Sequence, residues 1–309
     1  MPSSAYSRRS KWRFEDNEAT FAKRDRHKAR LATEDAHDST DGVIDGDRWS
    51  TWDQSSPTER GPRPYPDWLV TDLAATDTEL GILKTGKEAD VFLLRRGVPG
   101  TGSSCLLAAK RYRSAEHRQF HRDSEYTGGR RVRESRVNRA MAARTAVGKA
   151  MIAEQWAVAE FAALCQLHSG GVPVPYPVQI IGTEILLEFI GDPDGSAAPR
   201  LAELRPSGTE LIDLWDQLVQ ALRSLAYQGL VHGDLSAYNL LVHEGRLIMI
   251  DLPQVLDVIA HPRGAEFLER DVANVTSWFA ARGLAEVAGK VGVHPDALLA
   301  DLRYEARLD

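Results

Sequence analysis

Val231-His232-Gly233-Asp234-Leu235-Ser236-Ala237-Tyr238-Asn239-Leu240-Leu241-Val242 is the stretch whose reading decides the fold of this chain. It follows an amphipathic run over residues 211–228 that stops at Gly229, as a helix stops. Two short apolar runs come next, 240–242 and 247–250; they are joined at Glu244-Gly245 and end on Asp251, so they read as a hairpin. Asp234 thus stands five residues before Asn239, with Asp251 at the far end of the hairpin. A carboxylate to orient a nucleophile, plus oxygen ligands for Mg2+, is what phosphoryl transfer requires. The amide of Asn239 alone would hold the ion weakly, so it is paired with the carboxylate of Asp251. A plainer reading makes Asp234 a helix-end turn residue and Asn239 an ordinary loop amide. Three polar groups at this spacing, each flanked by apolar strands, argue against it. His232 has no HxH or HxxxH partner nearby, so it reads as a structural histidine bonding within its loop.

Upstream, residues 80–83 and 89–94 read as strands around the turn Lys84-Thr85-Gly86-Lys87-Glu88. A third strand covers 105–112 and carries Lys110 after an apolar run; a lysine buried there would need a partner. The next helix, about 150–168, offers Glu160, with Glu154 in reserve. The turn at Gly86 can bring backbone N–H groups near phosphates. It is neither GxGxxG nor a Walker motif and, taken alone, is an ordinary hairpin turn. Residues 178–181 and 184–190 read as a hairpin turning at Gly182-Thr183, and helices at 267–281 and 297–302 follow the loop. Strands first and helices later describe an α+β fold with a β-rich front and a helical back.

Composition narrows the class further. The chain has 309 residues, 43% hydrophobic and 27% charged, with a formal net charge of -6. These values suit a globular protein with a sizeable core and argue against one that coats nucleic acid. Cys105 and Cys165 form no CxxC pattern, which excludes a disulfide framework and a thiolate zinc site and suits a reducing cytoplasm. There is no apolar signal core and no run long enough to span a membrane, so a cytoplasmic location is expected. Residues 1–65 are polar and charged without apolar period, and read as a disordered tail in which Trp12, Phe14, Trp49 and Trp52 are candidates to dock on a partner or on the body. Residues 66–190 then form an N-lobe with a flexible, Arg-rich insertion at 114–147, and 191–309 a C-lobe with the catalytic and metal-binding loops.

Taken in order, TGKEADVF, AAKRY, WAVAEFAAL, VHGDLSAYNLLV, IDLPQ and HPRGAEFLERDVANVTSWF resemble the RIO family of atypical serine/threonine protein kinases, most of all its first subfamily. The resemblance covers about residues 76–282, and Phe120-His-Arg-Asp-Ser-Glu-Tyr is similar to that subfamily's flexible loop. It implies a trimmed two-lobed protein-kinase-like fold, ATP and Mg2+ as cofactors, and a serine/threonine kinase or ATPase activity; the 58 residues after Asp251 agree with the trimming. By similarity, Thr85, Gly86, Lys87, Glu88, Ala89 and Val91 flank the nucleotide, Lys110 (partnered by Glu160) contacts its phosphates, and Glu188 and Ile190 hold adenine through their backbone. Asp234 is then the catalytic aspartate, while Asn239 and Asp251 bind Mg2+ and Asp251 is also the position of an aspartyl-phosphate intermediate. The resemblance also implies a protein substrate and a ribosomal or ribonucleoprotein partner. Two departures stand out: Gly233 in place of an alanine common in the first subfamily, and no basic C-terminal run. Two other readings remain: a small-molecule phosphotransferase of the aminoglycoside-kinase kind, and an ATP-gated assembly factor in a ribonucleoprotein. The TGKEAD turn fits the former less well.

Overall fold

The computed structural model describes residues 46–113, 146–252, 256–287 and 294–308. Of the tail expected over 1–65, residues 1–45 lie outside the described residues, as do residues 114–145 of the insertion expected over 114–147, with its FHRDSEY segment; residues 146 and 147 belong to a helix. Strand β1 (Arg48–Trp49) is followed by β2 (Thr76–Thr85), β3 (Ala89–Gly97) and β4 (Ser104–Tyr112), then helix α1 (Ala146–Ser169) and strands β5 (Pro177–Ile181) and β6 (Glu184–Glu188). These strands make one antiparallel sheet in the order β1-β2-β3-β4-β6-β5. The chain then changes character. Helix α2 (Gly208–Tyr227), strands β7 (Leu230–Val231), β8 (Leu240–His243), β9 (Arg246–Met249) and β10 (Leu256–Asp257), and helices α3 (Gly264–Ala280), α4 (Leu284–Val287) and α5 (Pro295–Glu305) build a mainly helical lobe. No helix among the described residues is long and apolar enough to cross a membrane.

Local sequence explains the main elements. Helix α2 buries Leu211, Leu214, Leu218, Leu222 and Leu225, a stripe at three- and four-residue spacing. Its entry is a capping box, in which Glu210 accepts from the Ser207 N–H at 3.1 Å. Helix α3 buries Phe267, Leu268, Val272, Val275 and Phe279 against the same core. Helix α1 serves two cores. Ala153, Ala157 and Phe161 pack under the sheet with Ala89, Tyr112 and Ile185, whereas Leu164 and Leu167 join the helical lobe.

The folded body begins well before residue 66. Trp52 is buried with Leu69, Val70, Ala75 and Leu94 on the back of the sheet, and Trp49 pairs with Thr76. Composition hid this because the segment is fastened by polar groups and one tryptophan rather than by an apolar period. Arg96, fully buried, meets both oxygens of Asp77 across β2 and β3 at 2.7 and 3.0 Å and gives a third bond to Gln179 at 3.0 Å. Gln179 then donates to Thr51 at 2.8 Å. The Gly61 N–H bonds the Val178 carbonyl at 2.9 Å, and the Arg60 guanidinium lies over the Trp52 ring, 4.7 Å from its centroid.

A second difference concerns the first hairpin. Lys84 and Thr85 belong to β2 rather than to the turn, which is confined to Gly86, Lys87 and Glu88. Strand β2 carries two register shifts. At the second, Ile82 faces Phe92 but the next pair is Lys84 with Val91, so Leu83 is the extra residue. Bulges of this kind re-aim the side chains that follow them.

Removing one partner from a buried charge pair leaves the other uncompensated. Arg96→Met should therefore lower unfolding stability by about 3–5 kcal/mol, read as a fall in the urea midpoint. Adding Asp77→Leu to Arg96→Met should recover part of that loss.

Candidate active site

Three residues lie side by side on one face of the sheet: Lys84 on β2, Val91 on β3 and Lys110 on β4. Directly opposed residues in a ladder share a face, so both lysines point the same way. Lys110 is 9% exposed. Its Nζ meets Glu160 Oε1 at 2.6 Å and Asp251 Oδ1 at 3.4 Å. Burial alone would lower its pKa, but Glu160 and Asp251 outweigh that and hold it above the ordinary lysine value. The other oxygen of Glu160 accepts from the Tyr112 hydroxyl, whose own pKa is pushed upward by burial and by that carboxylate. Of the two glutamates offered by α1, the structure pairs Glu160 with Lys110. Glu154 is exposed and lines a cavity of about 780 Å3 together with Arg60, Phe161, Cys165 and Ile180.

Asp251 lies between the two lysines. Lys84 Nζ sits 3.2 Å from Oδ2, while Lys110 takes Oδ1. Burial works to raise the Asp251 pKa; Lys110 and then Lys84 more than offset it, and the carboxyl is held below its ordinary value. The Asp251 backbone has a φ of 63°, a left-handed conformation that costs a side-chain-bearing residue about 1–2 kcal/mol. Such strain persists only where the surroundings impose it, and it gathers at functional sites.

The loop before Asp251 is held from below. Asp271, fully buried on α3, accepts from the Gly233 N–H at 2.7 Å and the Leu235 N–H at 2.9 Å. Burial raises its pKa, with His232 and the two N–H donors acting the other way. Asn274 donates to the Leu235 carbonyl at 3.1 Å, and Arg270 bonds the Gly233 carbonyl. Gly233 has a φ of 83°, where an alanine would be strained, so glycine suits the backbone at this point of the loop. The loop therefore turns Asp234 outward into solvent while Asn239 is buried. The Asn239 Nδ2 donates to the Asp234 carbonyl at 2.8 Å, which turns its amide oxygen away from that bond. The Ile250 N–H reaches the Asn239 carbonyl at 3.0 Å and so ties the loop to the residue beside Asp251.

His232 is a buried structural bridge. Its Nδ1 accepts from the Asp234 N–H at 3.3 Å and its Nε2 lies 3.2 Å from the Ile250 carbonyl. These bonds require the neutral ring with its proton on Nε2.

Of the other nucleotide-side candidates, Ala89 is buried, while Thr85 and Lys87 are exposed. The Gly86 N–H donates to the Ala89 carbonyl at 3.0 Å and the Glu88 carbonyl accepts from Arg113 at 2.9 Å, so these groups close the hairpin. Glu188 ends β6; its carboxylate accepts from the Tyr176 N–H at 2.9 Å and its own N–H donates to the Tyr176 carbonyl at 2.8 Å. The Ile190 carbonyl accepts from Ala198 at 3.0 Å. Sequence reasoning missed Lys84, Tyr112 and Asp271. Asp271 left a trace, because it interrupts the apolar stripe of α3 between Phe267 and Val275. Lys84 left none, because its orientation depends on a bulge.

The described residues hold no group of three or more His, Cys, Asp or Glu side chains suited to a metal. The amide of Asn239 and the carboxylate of Asp251 are nevertheless donors that suit Mg2+, which usually keeps several waters and takes one or two protein carboxylates. The donor set fits that ion and not zinc.

A buried lysine on a strand paired with a helix glutamate, facing an Asp–Asn loop and a second aspartate, defines a two-lobed protein-kinase-like α+β fold with a small helical lobe. The RIO domain model matches residues 101–290, and the chain belongs to that family. It is 32% identical over 205 residues to the RIO-type serine/threonine-protein kinase Rio1 of Haloferax volcanii, covering 66% of this chain and 63% of that one. Against the serine/threonine-protein kinase RIO1 of Chaetomium thermophilum it is 33% identical over 223 residues, covering 69% of this chain and 41% of the relative. It also resembles a crystal structure of the Rio2 kinase-ADP/Mg2+-phosphoaspartate complex from that organism, at 19% identity and a TM-score of 0.48, covering 74% of this chain and 71% of the other. The chain thus spans less than two thirds of these two curated relatives.

Protonating His232 would cost its bond from the Asp234 N–H, and burial, the dominant effect, holds its pKa below 6.5. Since the folded state binds the proton less well, stability should be intact above about pH 6.5, the unfolded value, and fall as pH drops below it. Chemical denaturation at stepped pH values should show this loss, and His232→Gln should flatten it.

Proposed function

We propose that this chain is an ATP- and Mg2+-dependent phosphotransferase of the RIO kinase type, acting as a serine/threonine protein kinase, an ATPase, or both. The observation that carries this reading is the Lys110–Glu160–Asp251 chain of charges, set on one face of the sheet opposite the Asp234–Asn239 loop. Lys110, already fully ionised and fixed by Glu160, supplies a preorganised positive charge for the nucleotide phosphates. Thr85, Gly86, Lys87, Glu88, Ala89 and Val91 flank those phosphates. The backbone of Glu188 and Ile190, at the exit of the sheet, meets the adenine. Asn239 and Asp251 would hold Mg2+, which would supply positive charge against the negative charge of the phosphates. Asp234, exposed at the loop tip, orients the attacking hydroxyl or water and accepts its proton. The unpaired Cys105 and Cys165 are in keeping with a cytoplasmic enzyme. A protein substrate and a ribonucleoprotein partner follow the family resemblance.

Asp251 invites a covalent variant of the same chemistry. One of its oxygens would attack the γ-phosphorus, the bond to the β–γ bridging oxygen would break, and ADP would leave with that electron pair. Water would then hydrolyse the acyl phosphate.

Incubation with γ-labelled ATP and Mg2+ tests both forms. Turnover should fall at least about a hundredfold in Asp234→Ala and in Asp251→Asn, and chelation of Mg2+ should abolish it. Hydroxylamine-labile label that disappears in Asp251→Asn marks the covalent route, and stable label on serine or threonine marks direct transfer. Undiminished turnover in both variants would sink the assignment.

A further inference from the structure

Lys84 is a cation of the cleft that no motif anticipates. Its position is built rather than incidental. Without the bulge at Leu83, the residue facing Val91 would be Leu83 itself, and an apolar side chain would stand beside Lys110 on the cleft face. The extra residue exchanges that leucine for a lysine. Lys84 Nζ then occupies Asp251 Oδ2 at 3.2 Å while Lys110 occupies Oδ1, so both oxygens of the carboxylate carry an ammonium. The two contacts differ in permanence. Lys110 is also anchored on Glu160 at 2.6 Å, whereas Asp251 is the one carboxylate within ion-pairing distance of Lys84 among the described residues. Lys84 is also more than a third exposed, on a flexible four-carbon stem.

We propose that Lys84 is a second phosphate-binding lysine, parked on Asp251 when the cleft is empty and transferred to the polyphosphate of an incoming nucleoside triphosphate. This rests on the nucleotide reading above and adds a residue to it. A divalent cation held by Asp251 would repel the Lys84 ammonium from that carboxylate. The phosphate chain would then offer negative charge in its place, which lysine binds well as a point charge. Until then Lys84 screens Asp251, which would otherwise repel the incoming anion.

Calorimetric titration with Mg2+ and the β,γ-imido analogue of ATP, beside adenosine, tests the transfer. Lys84→Met should bind the triphosphate analogue about tenfold more weakly, the loss of one charge-assisted contact, with adenosine affinity unchanged. Lys84→Arg should keep most of the native affinity. The melting temperature should move little, since a half-exposed pair contributes little stability. Triphosphate binding as tight as native, or tighter, in Lys84→Met would show that Lys84 only guards Asp251 and would overturn the proposal. An equal loss for adenosine would overturn it too, by showing a distorted cleft. If the native protein binds no adenine nucleotide, the phosphotransferase reading fails with it; if the native protein binds and only the Lys84 comparison fails, that reading survives.

Discussion

The Lys110 ammonium is almost wholly withdrawn from water, so its charge has to be met inside the protein. Glu160 meets it from α1 and Asp251 from the far side of the cleft. That requirement links elements far apart in sequence. Helix α1 must lie under the sheet with Glu160 turned inward, which Ala153, Ala157 and Phe161 secure by packing below β4. The β9 hairpin must end where Asp251 can reach up, which the loop tied to α3 secures. If any of these shifts, a buried charge loses its partner, a loss of several kcal/mol in typical proteins.

The lower half of the site is governed by backbone more than by side chains. Gly233 and Asp251 both occupy left-handed conformations, and a buried carboxylate on α3 gathers two N–H groups of the loop between them. His232 adds a bridge from the start of the loop to Ile250. The outcome is division of labour within one short segment. The groups that hold the loop are buried and the one that projects, Asp234, is exposed.

How much of this was legible in the sequence depended on whether the signal was local. The β-rich front, helical back, hairpins and the Asp234–Asn239–Asp251 spacing could be read because periodicity and turn residues are written over a few neighbouring positions. Lys110 meets Glu160 rather than Glu154 because α1 buries the first and leaves the second exposed. Lys84 and Asp271 escaped because their meaning lies in tertiary placement: a one-residue bulge for the first, a loop 36 and 38 residues earlier in the chain for the second. Residues 46–65 escaped for a related reason. Their anchorage is a polar network and a single tryptophan, and a polar composition otherwise signals disorder.

That network bears on where this protein can be cut. The family match begins at residue 101, yet a fragment starting there would lack β1, β2 and β3 and leave β4 as a raw edge. Even a start at residue 66 would strip Trp52 from the back of the sheet and remove the Thr51 and Ser55 oxygens that Gln179 reaches at 2.8 and 3.3 Å. Bared apolar surface and an unpaired strand edge are what drive one chain onto another. The boundary of the recognisable module is therefore not the boundary of the soluble one, and expression fragments should begin upstream of Gly46.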